Sequence, residues 1–189
     1  MIDIGTGDGR FVSAAATVNP TKFYIGVDAN ASSLEKPSMK ATRKPTKGGL
    51  PNAMFVQAAV KDLPDEFNGV ADEIHVHFPW GSLLRAVAAG DETVLVSLRR
   101  IAASECLLEI VIGVDPQRDR AEFERLGIPK LSEDHFNSTL IAKYAAVGFA
   151  VKESRELSPS EWSRLETSWA RKLSGNESRK VFYLVFEAI

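Results

Sequence analysis

The chain enters a glycine-rich turn almost at once: Ile2-Asp3-Ile4 runs without a spacer into Gly5-Thr6-Gly7-Asp8-Gly9. A short apolar run feeding straight into glycines reads as a buried strand whose end lets the backbone approach a ligand, since side chains in the turn would collide with it. Such a turn wants an acid about 20 residues further on, at the tip of the next strand, to accept hydrogen bonds from ribose hydroxyls. Asp28, closing Phe23-Tyr24-Ile25-Gly26-Val27, stands there. The glycine pattern alone would be weak; strand, turn and acid together confine the chain to folds that open with a nucleotide-type βαβ unit.

The rest of the sequence keeps that alternation. Arg10 to Val18 has helical spacing, with Phe11, Ala14, Ala15 and Val18 on one face. A second helix runs from Ala31 to about Lys44, its start blurred by Pro37, and stops at Pro45 and Gly48-Gly49. Further strands are expected at Ala53–Ala58, Ile74–Phe78 and Leu107–Ile112, with helices at Leu83–Val87 and Thr93–Ile101 between the last two. Glu133–Val147 is a helix closed by Gly148. Phe149–Glu156 and Val181–Phe186 are the final strands, joined by a long polar segment that holds Trp162 and Trp169. Strands alternating with helices imply a doubly wound parallel sheet, and the last pair, with no helix covering their connection, implies an antiparallel hairpin at its edge. The fold class is therefore α/β: seven strands, mostly parallel, in the Rossmann-like arrangement of class I methyltransferases, as one domain over 1–189.

Composition excludes other classes. With 44% hydrophobic and 25% charged residues among 189, the chain supports one packed core. No apolar run nears the roughly 20 residues of a membrane span, and no secretory leader opens the sequence. Cys106 has no disulfide partner, which suits a reducing cytoplasm, and its apolar neighbours suit an inert thiol. One cysteine and three scattered histidines predict no metal site; His75 and His77, alternating on a strand, read as structural. A net charge of −2 argues against indiscriminate coating of nucleic acid. Yet Lys36–Lys47 and Arg171–Lys180 are basic islands on a neutral body.

The glycines are spaced G-x-G-x-G rather than the G-x-G-x-x-G of dinucleotide sites, and Asp8 within the turn would repel a pyrophosphate. It would instead pair with the cationic amino group of a methionine moiety. S-adenosylmethionine thus fits better than NAD, with Gly5, Thr6, Gly7, Asp8 and Asp28 as contacts. Its adenine is expected beyond the third strand, near Ala58, Ala59 and Val60, with Phe78 at the end of the fourth strand completing the set.

Four ordered motifs then turn a generic pattern into a specific one. They are Ile2-Asp3-Ile4-Gly5-Thr6-Gly7-Asp8-Gly9-Arg10, Lys44-Pro45-Thr46-Lys47-Gly48-Gly49-Leu50-Pro51-Asn52, Phe78-Pro79-Trp80-Gly81-Ser82-Leu83-Leu84-Arg85 and Glu166-Thr167-Ser168-Trp169-Ala170-Arg171-Lys172-Leu173. Together they resemble the 16S ribosomal RNA adenine-N1 methyltransferases of aminoglycoside resistance, whose target is adenine 1408 in helix 44 of the small subunit. The resemblance runs nearly end to end and is weakest between Gly113 and Asp134.

The resemblance implies a base extracted from the RNA helix and regripped between two indoles, here Trp80 and Trp169, with Thr167 helping to hold it. Stacking of that kind restores about 1–3 kcal/mol per base. Adenine N1 is its own nucleophile, so positioning rather than a general base carries catalysis. The resemblance further implies that Lys40, Arg43, Lys44 and Lys47, in the linker the family lays against RNA, contact phosphates, as do Arg171, Lys172, Arg179 and Lys180 around Trp169. The partner is the 30S subunit, met by a monomer in the cytoplasm. Trp162 reads as packing, and Ser82, at a helix start, as an N-cap. Two departures stand out. The family's N-terminal extension is expected to be absent from this sequence, and Lys61 stands where relatives often carry Glu beside the adenine. Three rivals are kept. A transfer-RNA guanine-N7 methyltransferase would carry Phe-Pro-Asp-Pro-Trp, and here the Asp-Pro is lacking; a small-molecule methyltransferase would leave the basic islands idle; a non-catalytic RNA-binding module would not bind adenosylmethionine.

Overall fold

The computed structural model describes residues 1–162 and 179–189. Seven strands form one sheet: β1 (Ile2–Ile4), β2 (Tyr24–Asp28), β3 (Ala53–Gln57), β4 (Ala71–His77), β5 (Ala102–Val114), β6 (Phe149–Leu157) and β7 (Lys180–Ala188), in the order β3-β2-β1-β4-β5-β7-β6. Strands β1 to β5 pair in parallel, and β7 runs antiparallel between β5 and β6. The expected sheet and its terminal hairpin are both present.

The chain reverses its winding between β1 and β4, so the crevice outside the carboxyl ends of β1, β2 and β4 is the place where such sheets bind ligands. Its floor is rigid because β1, fully buried, is clamped on both sides. Ile74, Val76, Leu108 and Ile110 pack from the sheet against Leu84 of α3 (Gly81–Ala89) and Leu95 and Leu98 of α4 (Glu92–Ile101), all with no measurable exposure. Removing one such leucine would cost about 2–5 kcal/mol. On the other face, α1 (Arg10–Val18) and α2 (Ala31–Ala41) enclose a second core around Val12, Tyr24 and Ala41.

Several boundaries differ from the sequence expectation, each for a local reason. Helix α2 ends at Ala41, not near Lys44, because Lys44 precedes Pro45 and is driven to extended backbone (φ −58°, ψ 140°). After the short 3-10 turn Pro45–Lys47 the chain doubles back so tightly that a Cβ on Gly49 would lie 1.7 Å from the Arg43 carbonyl oxygen. β5 starts five residues early. Ala71 pairs with Ala102 but Glu73 with Leu107, so β5 bulges between them, with Glu105 at φ 60°. Helix α5 (Arg120–Leu126) was not foreseen; it is mostly charged and is laced by Arg120–Glu124 and Arg125–Glu122 pairs. The expected helix Glu133–Val147 is α6 (Glu133–His135), a π-turn (Phe136–Leu140) and α7 (Ile141–Ala146) in succession. Tyr144 of α7 stacks on Phe186 at 4.2 Å and donates to the Val87 carbonyl, which fastens this unit to β7 and α3.

Topology also fixes where β6 ends and β7 begins. β6 is parallel to β5, so it ends at the sheet's carboxyl edge, and β7 begins there, Lys180 opposite Val114. A one-turn helix, α8 (Pro159–Trp162), follows β6. β6 therefore ends, and β7 begins, at the edge that carries the crevice.

Candidate active site

The glycine turn is stitched to β2 by its own backbone. Gly5 and Thr6 N–H both donate to the Val27 carbonyl, at 2.8 and 3.0 Å. Gly7 N–H donates to Asp28 Oδ2 and Asn30 N–H to Asp28 Oδ1, each at 2.8 Å. A carboxylate has about four acceptor sites, so Asp28 anchors two backbone groups and keeps acceptor capacity facing outward. Gly7 sits at φ 56°, a conformation L side chains avoid, and a Cβ there would meet nothing within 4 Å. That bare, open backbone is what a ligand needs for close approach.

In front of the turn lies a cavity of about 590 Å³, within the usual range for small-molecule sites. Gly5, Gly7, Asp28, Ala59, Val60 and Phe78, six of the eight expected cofactor contacts, line it together with Ala58 and Lys61. The other two do not. Thr6 is turned into the protein interior and buried. Asp8 leaves on the far side of the turn, paired with Arg10 at 3.2 Å in a groove shared with Lys36 and Lys40. Glycines on either side let the backbone swing Asp8 outward, so its expected pairing with a methionine amino group is not how this turn is built. A small-residue wall at Ala58 and Ala59, a carboxylate at Asp28 and an open glycine suit an adenosine-bearing ligand.

The turn after β4 is the most strained part of the site. Phe78 occupies φ 48°, an uncommon left-handed conformation for a bulky residue. Two contacts hold it there. Its N–H donates to the Val111 carbonyl at 2.7 Å, and its ring lies on Gly113, where a Cβ would come within 2.9 Å of two ring carbons. Val111, Leu157 and Val181 complete the seat. With Phe78 fixed, the backbone turns sharply and Pro79 and Trp80 border the cavity. Trp80 is 43% exposed, a large aromatic surface left to solvent on the rim of a ligand cavity. Ser82 also lines the cavity, but the cap position of α3 belongs to Trp80, which makes no side-chain cap bond. Leu83, Arg85, Asp91 and Thr93 belong to the same wall and were missed. Their position after the fourth strand, at the switch point, was the available signal.

The basic residues divide. Lys40, Arg43, Lys44 and Lys47 are exposed and make no ion pair with another described residue. Lys180 is exposed and only loosely paired with Glu156, at 3.6 Å. Arg179 is committed elsewhere: its side chain is 9% exposed, donating to the Gly113 carbonyl at 3.1 Å and pairing with Asp119 at 3.3 Å. It is a tie between β5, α5 and β7 rather than a free phosphate contact. Trp169, Thr167, Arg171 and Lys172 lie outside the described residues, as does the side chain of Trp162. A larger cavity, about 730 Å³, opens between α5 and β7 around Phe123, Ile128 and Phe182. It touches neither the glycine turn nor Asp28, so size alone does not mark the site here.

Comparisons with known proteins agree with this geometry. The family model described as "NpmA: 16S rRNA (adenine(1408)-N(1))-methyltransferase" matches residues 1–188. A 16S rRNA (adenine(1408)-N(1))-methyltransferase of Escherichia coli is 35% identical over 182 residues, 96% of this chain and 83% of its own length. Among solved structures, the aminoglycoside resistance methyltransferase NpmB1 is 47% identical, with a TM-score of 0.86 over 100% of this chain and 86% of that one. A tryptophan-to-alanine variant of the Catenulisporales acidiphilia enzyme, solved with cosubstrate SAM, is 35% identical, with a TM-score of 0.90 over 100% and 84%. The rival reading fares less well: a Geobacillus tRNA (guanine-N(7)-)-methyltransferase is 35% identical over only 82 residues, 42% of this chain. The glycine turn with its acid, the seven-stranded sheet and the end-to-end match converge, and the chain belongs to the family of 16S rRNA (adenine(1408)-N(1))-methyltransferases.

Proposed function

We propose that this protein transfers a methyl group from S-adenosylmethionine to N1 of adenine 1408, in helix 44 of 16S ribosomal RNA within the 30S subunit, and so confers aminoglycoside resistance. The observation that carries the reading is Trp80: an exposed indole bordering a cavity that the open glycine turn also lines. A small-molecule enzyme has little use for an aromatic platform facing solvent, whereas an unstacked base needs one.

Adenosylmethionine, when bound, supplies a methyl group already activated on a sulfonium. Gly5 and Gly7 give it backbone room, Asp28 takes the ribose hydroxyls, and Ala58, Ala59 and Val60 flank the adenine. Trp80 supports one face of the target base and Trp169 the other; Thr167 steadies it. The connection that holds Trp169 starts and finishes at the carboxyl edge of the sheet, which favours its meeting Trp80 there. The N1 lone pair attacks directly, so the residues contribute orientation and exclusion of water rather than proton transfer. Lys40, Arg43, Lys44 and Lys47 hold RNA phosphates along one side, with Arg171, Lys172 and Lys180 on the other. Such contacts position the protein without reading sequence. The protein works as a monomer on the subunit, in the cytoplasm; among the described residues no helix is long and apolar enough to cross a membrane.

The test is methylation of purified 30S subunits with radiolabelled adenosylmethionine, followed by reverse transcription. A methyl on N1 blocks pairing, so the expected result is one new stop at adenine 1408. Label without that stop would move the target elsewhere. Absence of adenosylmethionine binding by calorimetry would reduce the chain to an RNA-binding module.

A further inference from the structure

Beneath α1, away from the cofactor cavity, three groups converge that the proposed reaction does not use. His75 and His77 project from the same face of β4, as residues two apart on a strand must. The parallel register sets Glu109 of β5 directly beside His75. His75 Nδ1 lies 3.4 Å from His77 Nε2 and 3.3 Å from Glu109 Oε1, and His77 Nε2 lies 2.6 Å from that same oxygen.

We propose that His75, His77 and Glu109 bind a divalent transition-metal ion of the zinc type. Two imidazoles and one carboxylate are a donor set that such ions favour, three protein ligands leaving a further position for water. The spacing supports it. The three separations form a triangle whose corners lie about 1.8 Å from their common centre, less than the roughly 2.0–2.1 Å of zinc–nitrogen and zinc–oxygen bonds. One ion about 0.9 Å out of that plane is within bonding reach of all three atoms, and the 2.6 Å edge between His77 and Glu109, shorter than tetrahedral ligands stand apart, would widen on binding. A hydrogen-bonded cluster, with His77 Nε2–H donating to Glu109 Oε1 at 2.6 Å, is the alternative to metal binding.

Glu109 and His75 have outer partners of the kind that hold metal ligands, whereas the other ring nitrogen of His77, Nδ1, is buried with no hydrogen-bond partner among the described residues. Tyr183 O–H donates to Glu109 Oε2 at 2.7 Å, which leaves Oε1 for the ion. The remaining nitrogen of His75, Nε2, faces Glu73 Oε2 at 3.5 Å, and Glu73 is itself fixed by Lys22 at 2.8 Å. Phe11 of α1 packs on both rings, with centroids at 5.2 and 4.6 Å, and gives the site a dry wall. Counting only cysteines and histidines, the sequence predicts no metal site; the carboxylate that completes one comes from the neighbouring strand. Because His77 directly precedes Phe78, the ion would clamp β4 to β5 just behind the strained turn that presents Trp80.

The experiment titrates the untagged full chain with cobalt(II), whose visible absorption reports tetrahedral nitrogen and oxygen ligation, and then adds zinc(II) as competitor. One equivalent should bind with a saturable band that zinc abolishes. His135 Nε2 donates to the Ala88 carbonyl, away from the cluster, and offers no competing pair. Glu109→Gln and His75→Gln should each weaken binding by at least about 100-fold, and Tyr183→Phe by about 10–100-fold, the usual range for an outer partner. Adenosylmethionine binding by Glu109→Gln shows that the variant is folded; should it fail, His75→Gln and Tyr183→Phe decide. Absence of a saturable band in the unmodified chain, or a stoichiometric band that survives the ligand substitutions, would overturn the assignment.

Discussion

Gly113→Ala should destabilise the protein, and the sign of its effect should depend on the residue at 78. Gly113 lies in β5 at negative φ, where alanine is ordinarily the better residue, because it narrows the unfolded ensemble by about 0.4–1 kcal/mol. Here the new Cβ would lie 2.9 Å from two carbons of the Phe78 ring. The ring has nowhere to retreat: its backbone is held at φ 48° by the bond to the Val111 carbonyl, and Val111, Leu157 and Val181 close around it. Overpacking of this kind costs about 1–3 kcal/mol, so at the centre of both ranges a net loss of about 1.3 kcal/mol remains once about 0.7 kcal/mol of favourable backbone contribution is subtracted. For a chain of this length that corresponds to a fall in Tm of roughly 3–5 °C. Urea denaturation and thermal melts of four proteins (the parent, Gly113→Ala, Phe78→Leu and the double variant) give the cycle. In the Phe78→Leu background the same alanine should become neutral or stabilising. A Gly113→Ala protein as stable as its parent, or an equal loss in both backgrounds, would mean that the ring does not rest on Gly113 and that the account of how Trp80 is presented is wrong.

Trp80→Ala should lower kcat/KM on 30S subunits by about 5–150-fold, the loss of 1–3 kcal/mol of base stacking, with adenosylmethionine affinity changed little and Trp80→Phe intermediate; equal losses in cofactor affinity would point to a collapsed cavity instead. Replacing Lys44 and Lys47 by Gln should weaken binding to 30S subunits and reduce the magnitude of the salt slope by roughly 0.7–0.9 for each phosphate no longer neutralised, whereas an unchanged slope would return both side chains to bulk solvent. Cys106 is fully buried and burial pushes its thiol up to about 11, so iodoacetamide at pH 8 should leave the native protein unlabelled and react only after denaturation; rapid native labelling would contradict that packing.

Much of this was legible because it is written in short-range chemistry. The turn Gly5–Gly9 and Asp28 declare themselves by spacing, and the strands by apolar runs. What escaped was set by pairing across the sheet. Glu109 sits between Leu108 and Ile110 and looks like an interruption in a buried strand, until the register with β4 puts it beside His75. Asp8 looks like a ligand because it lies within the turn, but left-handed glycines at 7 and 9 aim it away from the cavity. Arg179 looks like part of a basic island; only the antiparallel pairing of β5 with β7 brings it under Gly113 and Asp119. Helix α5 carries no apolar stripe strong enough to announce it: only Phe123 and Leu126 pack against the core, and its remaining residues are mostly charged. Leu83, Arg85 and Thr93 reach the cavity through the way α3 and α4 pack, which no local pattern encodes.

Asp28 shapes its own binding site before any ligand arrives. With one carboxylate oxygen on the Gly7 amide and the other on the Asn30 amide, it ties the loop after β1 to the start of α2. The crevice is thus braced by bonds within the chain, and nucleoside binding need not freeze a wandering loop. Exchanging Asp28 for Asn would set an NH₂ group against one of two amide donors and loosen the scaffold while also removing an acceptor for sugar hydroxyls. The weaker affinity of such a protein would sum two effects, architecture and direct bonding, and only a ligand lacking those hydroxyls, compared on both backgrounds, separates them.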